Sequence, residues 1–413
     1  MRASRVLLLS LALAGPSPRA EGSDERGLSL ATARALATTG GPEVLLARRR
    51  EDIARAQVEA TGALANPTLS LLTARLSARL STGLSVPLPL FGQRSTAVAA
   101  ARADVDVAAL DTEALRVDAR WNATRAWLDL WEAQQRASLL ALAATEAERL
   151  ATIAQERFAA GSTPRLDTVR TSADRARARA DASASTTGIT AASARLSQWL
   201  GDAEEPTALR AAGAPSLGDL PPQESALRLL LERHPILAHD RAAVVAAATR
   251  VRAERRLRWP LVNAQVTVSR ADPTLPGTDV IGGVAFEAPV LSQRAGAIAR
   301  ARAEQALAET TIDTNARRLS ALLSDAYEQA KGASLRARAL EHDVLPALEE
   351  SRRMTEEGYR DGRVNLLRVL DTQRVLLEGR VAHLDAQASS QRALADLERA
   401  LGVPLAEVAS GAR

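Results

Sequence analysis

Pro89-Leu90-Phe91-Gly92-Gln93-Arg94 comes back much later in the chain as Pro289-Val290-Leu291-Ser292-Gln293-Arg294. Around it, other pieces return in the same order. Phe158-Ala159-Ala160-Gly161, with Leu166 beyond it, returns as Tyr359-Arg360-Asp361-Gly362, with Leu367 beyond it. Leu200-Gly201 returns as Leu401-Gly402, and Pro42 and Asn66-Pro67 answer to Pro235 and Trp259-Pro260. A period of roughly 200 residues is far longer than the 20 to 50 of a solenoid repeat, so the chain reads as two copies of one large unit.

Downstream of the first motif, Ser95 to Ala160 contains neither Gly nor Pro. As one helix at 1.5 Å per residue it would extend about 100 Å. Leu139, Leu142, Leu150 and Ile153 recur at helical spacing, as a packed seam does, and Trp127 and Trp131 one turn apart read as core. Gly161-Ser162-Thr163-Pro164 breaks the helix, and a second helix runs to Leu200. Each copy therefore holds a long helical hairpin with a tight tip. In copy two, Ala297 to Tyr327 is helical, Gly332 and Pro346 are expected to interrupt, and the tip falls at Gly358 to Arg363. Pro346 should kink or break the ascending helix, because it lacks an N–H and its ring crowds the preceding turn. Residues 28 to 62 read as one or two short helices broken at Gly40-Gly41-Pro42.

Upstream of each long hairpin the texture changes. Val262, Ala264, Val266 and Val268 alternate with Asn263, Gln265, Thr267 and Ser269, which gives a strand with one apolar and one polar face. A loop over Ala271 to Thr278 leads to Val280, Gly282, Val284 and Phe286, again alternating. Copy one offers Thr68 to Leu76 and then Leu80, Thr82, Leu84, Val86 and Leu88. Strands of about 8 to 10 residues match what a tilted strand needs to cross a membrane. A four-stranded sheet standing alone would leave open edges. Phe91, Trp259 and Phe286 are the aromatic residues near the strand ends.

Composition narrows the function. Of 413 residues, 46% are hydrophobic but only 2% aromatic, a recipe for closely packed Ala- and Leu-rich helices. The net charge of +4 comes from interspersed charges, which argues for solvated helix faces and against nucleic acid. Arg2 and Arg5 precede the apolar run Val6 to Ala14, with Ala12-Leu13-Ala14 and Ala20 as cleavage sites, so residues 1–20 read as a signal peptide. There is no Cys for a disulfide, a nucleophile or a lipid anchor. His234 and His239, five apart, fall on different helix faces, and Glu349-Glu350 and Glu356-Glu357 read as solvated surface. No phosphate loop or acid–base pair is recognisable, so neither enzyme chemistry, cofactor nor resident metal is expected.

Together these features give 21–201 as a first repeat, with a strand hairpin at 67–90 and a helical hairpin at 94–200. A linker at 202–222, rich in Pro and Gly, leads to a second repeat at 223–402, with hairpins at 260–290 and 293–401, and a tail at 403–413. The order and duplicated spacing of Asn66-Pro67, the two strand-to-helix passages, the Gly-centred tips and the Leu-Gly ends resemble the TolC-like outer-membrane efflux proteins. The resemblance implies a mostly α fold with a minor β part. Three protomers would each give four strands to one barrel among outer-membrane lipids, and their helical hairpins would form a tunnel in the periplasm. It implies a passive channel fed by an inner-membrane pump through a periplasmic adaptor (membrane fusion) protein.

Carried over residue by residue, the resemblance places adaptor docking at Ala160, Gly161 and Ser162 and at Asp361, Gly362 and Arg363. It makes Tyr359 part of the entrance lock. Where the family carries carboxylates beyond each tip, this chain has Asp167 and Asp371, with Arg368 at the third such position and Arg170 paired to Asp371 by the duplication. A mixed-sign constriction is expected in place of a purely acidic one; Asp167–Arg170 and Arg368–Asp371, each one turn apart, could also pair within their own helices. A heavy-metal efflux or type I secretion channel is an alternative within the class, although no Met-, His- or Cys-rich lumen points to metal chemistry. A periplasmic coiled-coil scaffold is the alternative of another class, and it lacks sustained heptads.

Overall fold

In the computed structural model the described residues are 27–411, apart from 74–79, 202–208, 219, 222–223, 229, 271–276, 288 and 290. The segment read as a signal peptide, the tip of the loop after Arg270 and the first part of the linker lie outside them.

Copy one opens with β1 (Leu28–Ser29), α1 (Leu30–Gly40) and α2 (Pro42–Gly62), broken where the sequence indicates. Strands β2 (Thr68–Leu72) and β3 (Leu80–Leu88) follow. Helix α3 (Gln93–Ala159) then runs unbroken for 67 residues, and α4 (Arg165–Leu200) returns. In the linker, β4 (Ala211–Ala212) pairs in parallel with β1 and so ties the start of the chain to the junction between copies. Copy two comprises α5 (Glu224–Arg228), α6 (Pro235–Arg256), β5 (Leu261–Arg270), β6 (Thr278–Glu287), α7 (Ala295–Ala339), α8 (Leu345–Arg360) and α9 (Leu366–Leu401). The tail carries a last helix, α10 (Leu405–Gly411), with Leu405 buried.

Copy two departs from expectation at two points. Helix α7 passes through Gly332 without a break. Pro346 does not end the ascending helix either. A π-helical turn at Leu340–Val344 joins α7 directly to α8. The wider i→i+5 turn moves backbone partners away from the site where the proline ring and missing N–H would clash.

The Leu-Gly ends have a packing cause. Gly201 (φ 74°) and Gly402 (φ 76°) both sit in the left-handed region. A Cβ on Gly201 would lie 2.3 Å from the Gly40 carbonyl oxygen, and one on Gly402 would lie 2.7 Å from Pro235. In each copy the end of the descending helix therefore abuts the start of the short helix that leads to the strands.

The core gathers at this level. Trp127, Leu128, Leu130, Leu196, Leu323, Leu397 and Leu401 are buried together, and the Trp127 indole donates to the Leu28 carbonyl at 2.7 Å. Ion pairs stitch α3 to α9: Arg392 to Asp129 (2.6 Å) and Glu132, Arg399 to Asp118 (2.7 Å), and Arg136 to Asp385. Burial works against the Arg392 charge, but its bonds to Glu132 and Asp129 outweigh it and raise its pKa. Among the described residues no helix is long and apolar enough to cross a membrane.

Candidate functional site

The two tips are built alike. In copy one the Gly161 N–H donates to the Phe158 carbonyl at 2.9 Å and the Ser162 N–H to the Arg157 carbonyl at 2.8 Å. In copy two Gly362 donates to Tyr359 (3.1 Å) and Arg363 to Gly358 (2.8 Å). This is the Schellman arrangement, which places its glycine in the left-handed region, here at φ 69° and 74°. A Cβ on either glycine would meet nothing within 4 Å. The backbone, not crowding, demands glycine at the tips. Ala160, Ser162, Asp361 and Arg363 flank them and are exposed, with Asp361 and Arg363 bonded to one another.

The helices leaving the tips start differently. Asp167 lies in the first turn of α4, where a carboxylate complements the positive end of the helix dipole. The matching residue on α9 is Arg368, of the unfavourable sign. There the Asn365 side chain caps the helix instead, accepting from the Arg368 N–H at 3.1 Å.

Tyr359 joins the two hairpins. Its ring is buried with Leu150, Leu366 and Val369, and the Arg157 guanidinium of copy one lies over it at 4.4 Å. Its hydroxyl is buried and has no hydrogen-bond partner among the described residues. Beside it Glu356 accepts from Arg352 (2.8 Å) and approaches Arg149 of copy one at 3.7 Å, so this carboxylate is not simply solvated.

Between the descending helices α4 and α9 lies a groove of about 890 Å³. Its floor is apolar, including Leu142, Leu150 and Leu370, and its rims are charged. Arg170, Asp174, Arg177 and Asp181 alternate along α4, and Asp371, Arg374 and Glu378 alternate along α9. Of the four constriction charges expected from the sequence, Arg170 and Asp371 share this groove, whereas Asp167 and Arg368 do not line it. Nor is Asp371 satisfied by Arg368; it accepts from Arg374 at 2.9 Å. The ladder itself was missed from the sequence, although opposite charges three and four apart carry the signal.

Away from the tips the strands form one antiparallel sheet in the order β2-β3-β5-β6. Its register brings every apolar alternation onto one face: Leu69 with Leu84, Leu84 with Val266, Val266 with Gly282, and Val262 with Phe286. The other face carries Ser70, Ser81, Ser85, Asn263, Gln265, Thr267 and Ser269, with Asp279 and Glu287 at its ends. Gly83 on this face lets Ser70 and Thr267 close in beside it. Leu69, Val280, Val284 and Phe286 are exposed. A largely apolar and mostly exposed face, backed by a polar one, is the amphipathic pattern of a membrane barrel wall.

The sequence profile of the outer membrane efflux proteins matches residues 35–202 and 226–403, once per copy. The chain belongs to the outer membrane efflux protein family. The cobalt-zinc-cadmium resistance protein CzcC of Cupriavidus metallidurans is 27% identical over 380 residues, which cover 91% of this chain and 90% of that one. The fold matches a crystal structure of CusC with a TM-score of 0.75 at 19% identity, covering 91% of this chain and 92% of that one. It matches the Campylobacter jejuni CmeC outer membrane channel with a TM-score of 0.74 at 15% identity, covering 90% and 85%.

This efflux protein is thus a mostly helical, outer-membrane channel component with a small sheet, as the sequence motifs imply. Among the described residues no cluster of His, Asp and Glu is arranged to hold a metal ion. The buried Asp240 accepts from Asn315 (2.8 Å) and His239 (3.1 Å), a structural role between α6 and α7.

Proposed function

We propose that three copies of this efflux protein close one barrel in the outer membrane and extend one helical tunnel into the periplasm. An inner-membrane pump, bridged by an adaptor protein, feeds the tunnel at the hairpin tips. The observation that carries this reading is the sheet: four strands, two open edges and one face that is apolar except for Thr82 and, at its far end, Arg270 and Thr278. Open edges in a chain this apolar are a liability unless neighbours pair with them, and a threefold ring removes every edge. Purified protein in mild detergent should have three times the mass of one chain; a soluble monomer without detergent refutes the barrel.

Divalent metal cations are the cargo class favoured by the 90% coverage of the cobalt-zinc-cadmium resistance relative. The polar face of the sheet carries Asp279 and Glu287 and no basic side chain among the paired residues, which suits cations. A cation that passes hydrated needs no ligating His or Met in the tunnel, so their scarcity does not weigh against metal cargo. Deleting the gene should sensitise cells to zinc, cobalt or cadmium; sensitivity only to organic toxicants would reject this cargo.

At the mouth, the tip residues Ala160, Gly161, Ser162, Asp361, Gly362 and Arg363 dock the adaptor, while Tyr359 and the charges of the α4–α9 groove, with Asp167 and Arg368 nearer the tips, hold the resting channel narrow.

A further inference from the structure

The last turn of α6 and the passage into β5 read Arg252-Ala253-Glu254-Arg255-Arg256-Leu257-Arg258-Trp259-Pro260. The duplication supplies an internal control for it. Pairing Pro67 with Pro260 sets Gly62, Ala63, Ala65 and Asn66 of copy one against Arg255, Arg256, Arg258 and Trp259. Copy one makes the same helix-to-strand passage with no basic residue in the last turn of α2. The fold therefore does not require these arginines, either for the passage or to complement the helix end.

Nor does the protein consume them. Arg252, Arg255, Arg256 and Arg258 are all exposed. Arg258 donates to the Gln293 side chain at 3.2 Å, and Glu254, the nearby carboxylate, is taken by Arg294 at 2.9 Å. Arg252, Arg255 and Arg256 make no ion pair among the described residues. Beside them Trp259 is 52% exposed and stacks on Phe91 at 5.6 Å between ring centres. Leu291, fully exposed, stands at the equivalent passage of copy two, and the apolar sheet face ends at the Val262–Phe286 pair, of which Phe286 is exposed and Val262 buried. An amphipathic aromatic pair at the end of a lipid-facing band, with free cations one turn farther out, is the layout of a membrane interface.

We propose that Arg252, Arg255 and Arg256, with Trp259, form a binding surface for the phosphate headgroups of anionic phospholipids in the periplasmic leaflet of the outer membrane. The proposal rests on the barrel reading, which fixes the leaflet because the helices leave the sheet at this end. Trp259 and Phe91 sit at headgroup depth and the guanidiniums reach the phosphates below them. Arginine suits the task because its fork bonds two phosphate oxygens at once. Three copies would give the channel a basic collar at one level, setting its depth in the membrane.

The test is lipid binding by the purified full-length assembly in mild detergent, titrated with phosphatidylglycerol and with phosphatidylcholine and read by native mass spectrometry. The parent should prefer phosphatidylglycerol. The triple variant R252Q/R255Q/R256Q should lose preference on the order of a hundredfold, from about fivefold per arginine at an anionic surface. Replacement of the same three by Lys should keep most of the preference, and Trp259→Ala should weaken both lipids alike. Single R252Q and R256Q variants, each expected to lose about fivefold, give the answer if the triple variant does not assemble. An intact trimer with no preference in the parent, or one unchanged in the Gln variants, overturns the headgroup surface and leaves the barrel standing. A parent that stays monomeric without detergent overturns both.

Discussion

Reversing Asp371 tests whether the α4–α9 groove governs the periplasmic entrance. The Asp371 carboxylate accepts from Arg374 at 2.9 Å, both side chains more than half exposed, and it faces the rim that carries Arg170. Asp371→Arg replaces an attraction to Arg170 across the groove by a repulsion, each worth about 0.4 kcal/mol at exposed sites, whereas the terms with Arg368 and Arg374 lie within α9 and cancel between open and closed states. That is about 0.8 kcal/mol per protomer, and threefold symmetry makes it about 2.4 kcal/mol, or roughly sixtyfold in an open–closed equilibrium. With Arg170 across the groove, the variant has positive charge on both rims and should open more readily. Arg170→Asp in the same chain restores opposite signs and should return the channel towards its resting state. The assay is single-channel conductance in planar bilayers at about 0.1 M and 1 M salt, where screening shrinks the reach of exposed charges from about 10 Å to 3 Å. A larger conductance for the single variant that fades at high salt, with recovery in the double variant, supports the reasoning. Equal conductance for parent, single and double variants refutes it and leaves these charges as a solvated face.

Three further outcomes are expected. Gly161→Val and Gly362→Val each force a β-branched residue into a left-handed backbone at about 1 to 2 kcal/mol; trimer mass should persist while export stops, and export that survives in both variants removes the tips as the docking surface. Arg392→Ala leaves Asp129 and Glu132 facing each other without their shared cation, which should cost about 1 to 3 kcal/mol and lower the melting temperature; an unchanged melt would mean these bonds are not maintained in solution. Acid should loosen the start of α6. Burial holds the His234 imidazole below its ordinary pKa, partly offset by its bond to the Arg399 carbonyl and by Asp118, and its neutral form accepts from the Ile236 N–H at 3.1 Å. Because the folded value is depressed, the unfolded chain binds more protons, so this stability is present above the ordinary value of about 6.5 and is lost as pH falls through the folded one. Melting curves between pH 7.5 and 5 should be flatter for His234→Asn, which still caps the helix, and identical slopes would refute the assignment.

Much of this architecture was legible because its signals are local. The 67-residue helix α3 begins and ends within two residues of the stretch free of Gly and Pro, and both tips fall on the glycines that punctuate the pattern. Strand alternation set the faces of the sheet before any register was known. What stayed hidden depends on partners distant in sequence. Pro346 is a helix breaker by its own chemistry, yet the π turn before it carries the helix on, and across from it Gly379 on α9 leaves room for Leu348, whose side chain would lie 2.4 Å from a Cβ there. Asp371 accepts from Arg374, one turn farther on, and not from Arg368 one turn back, a choice that sequence spacing alone leaves open. The repeated Gln-Arg of the two passages also concealed a difference: copy one turns on Gly92 at φ 78°, whereas copy two puts Gln293 and Arg294 themselves in the left-handed region.

These differences fall to one side. Copy one has an uninterrupted helix, a glycine at its strand-to-helix turn and a carboxylate where the helix dipole favours one. Copy two has a π turn and a proline within its ascending helix, two strained non-glycine residues at its turn, and an arginine against the dipole. Each costs stability that a duplicated fold demonstrably does not need to spend, since the first copy avoids all three. On the channel reading proposed above, their confinement to one copy would give the halves separate duties, with α3 and α4 as the rigid wall and the α7–α9 hairpin as the part that yields. The contacts between them at the mouth suit that division. Tyr359 rests against α3 through Arg157, with a buried hydroxyl that has no hydrogen-bond partner among the described residues. The long ion pairs farther up, such as Arg392 with Asp129, fix the same two hairpins together. On that reading, a hairpin ion-paired to α3 far from its tip and held at the tip through Tyr359 would move most at the tip.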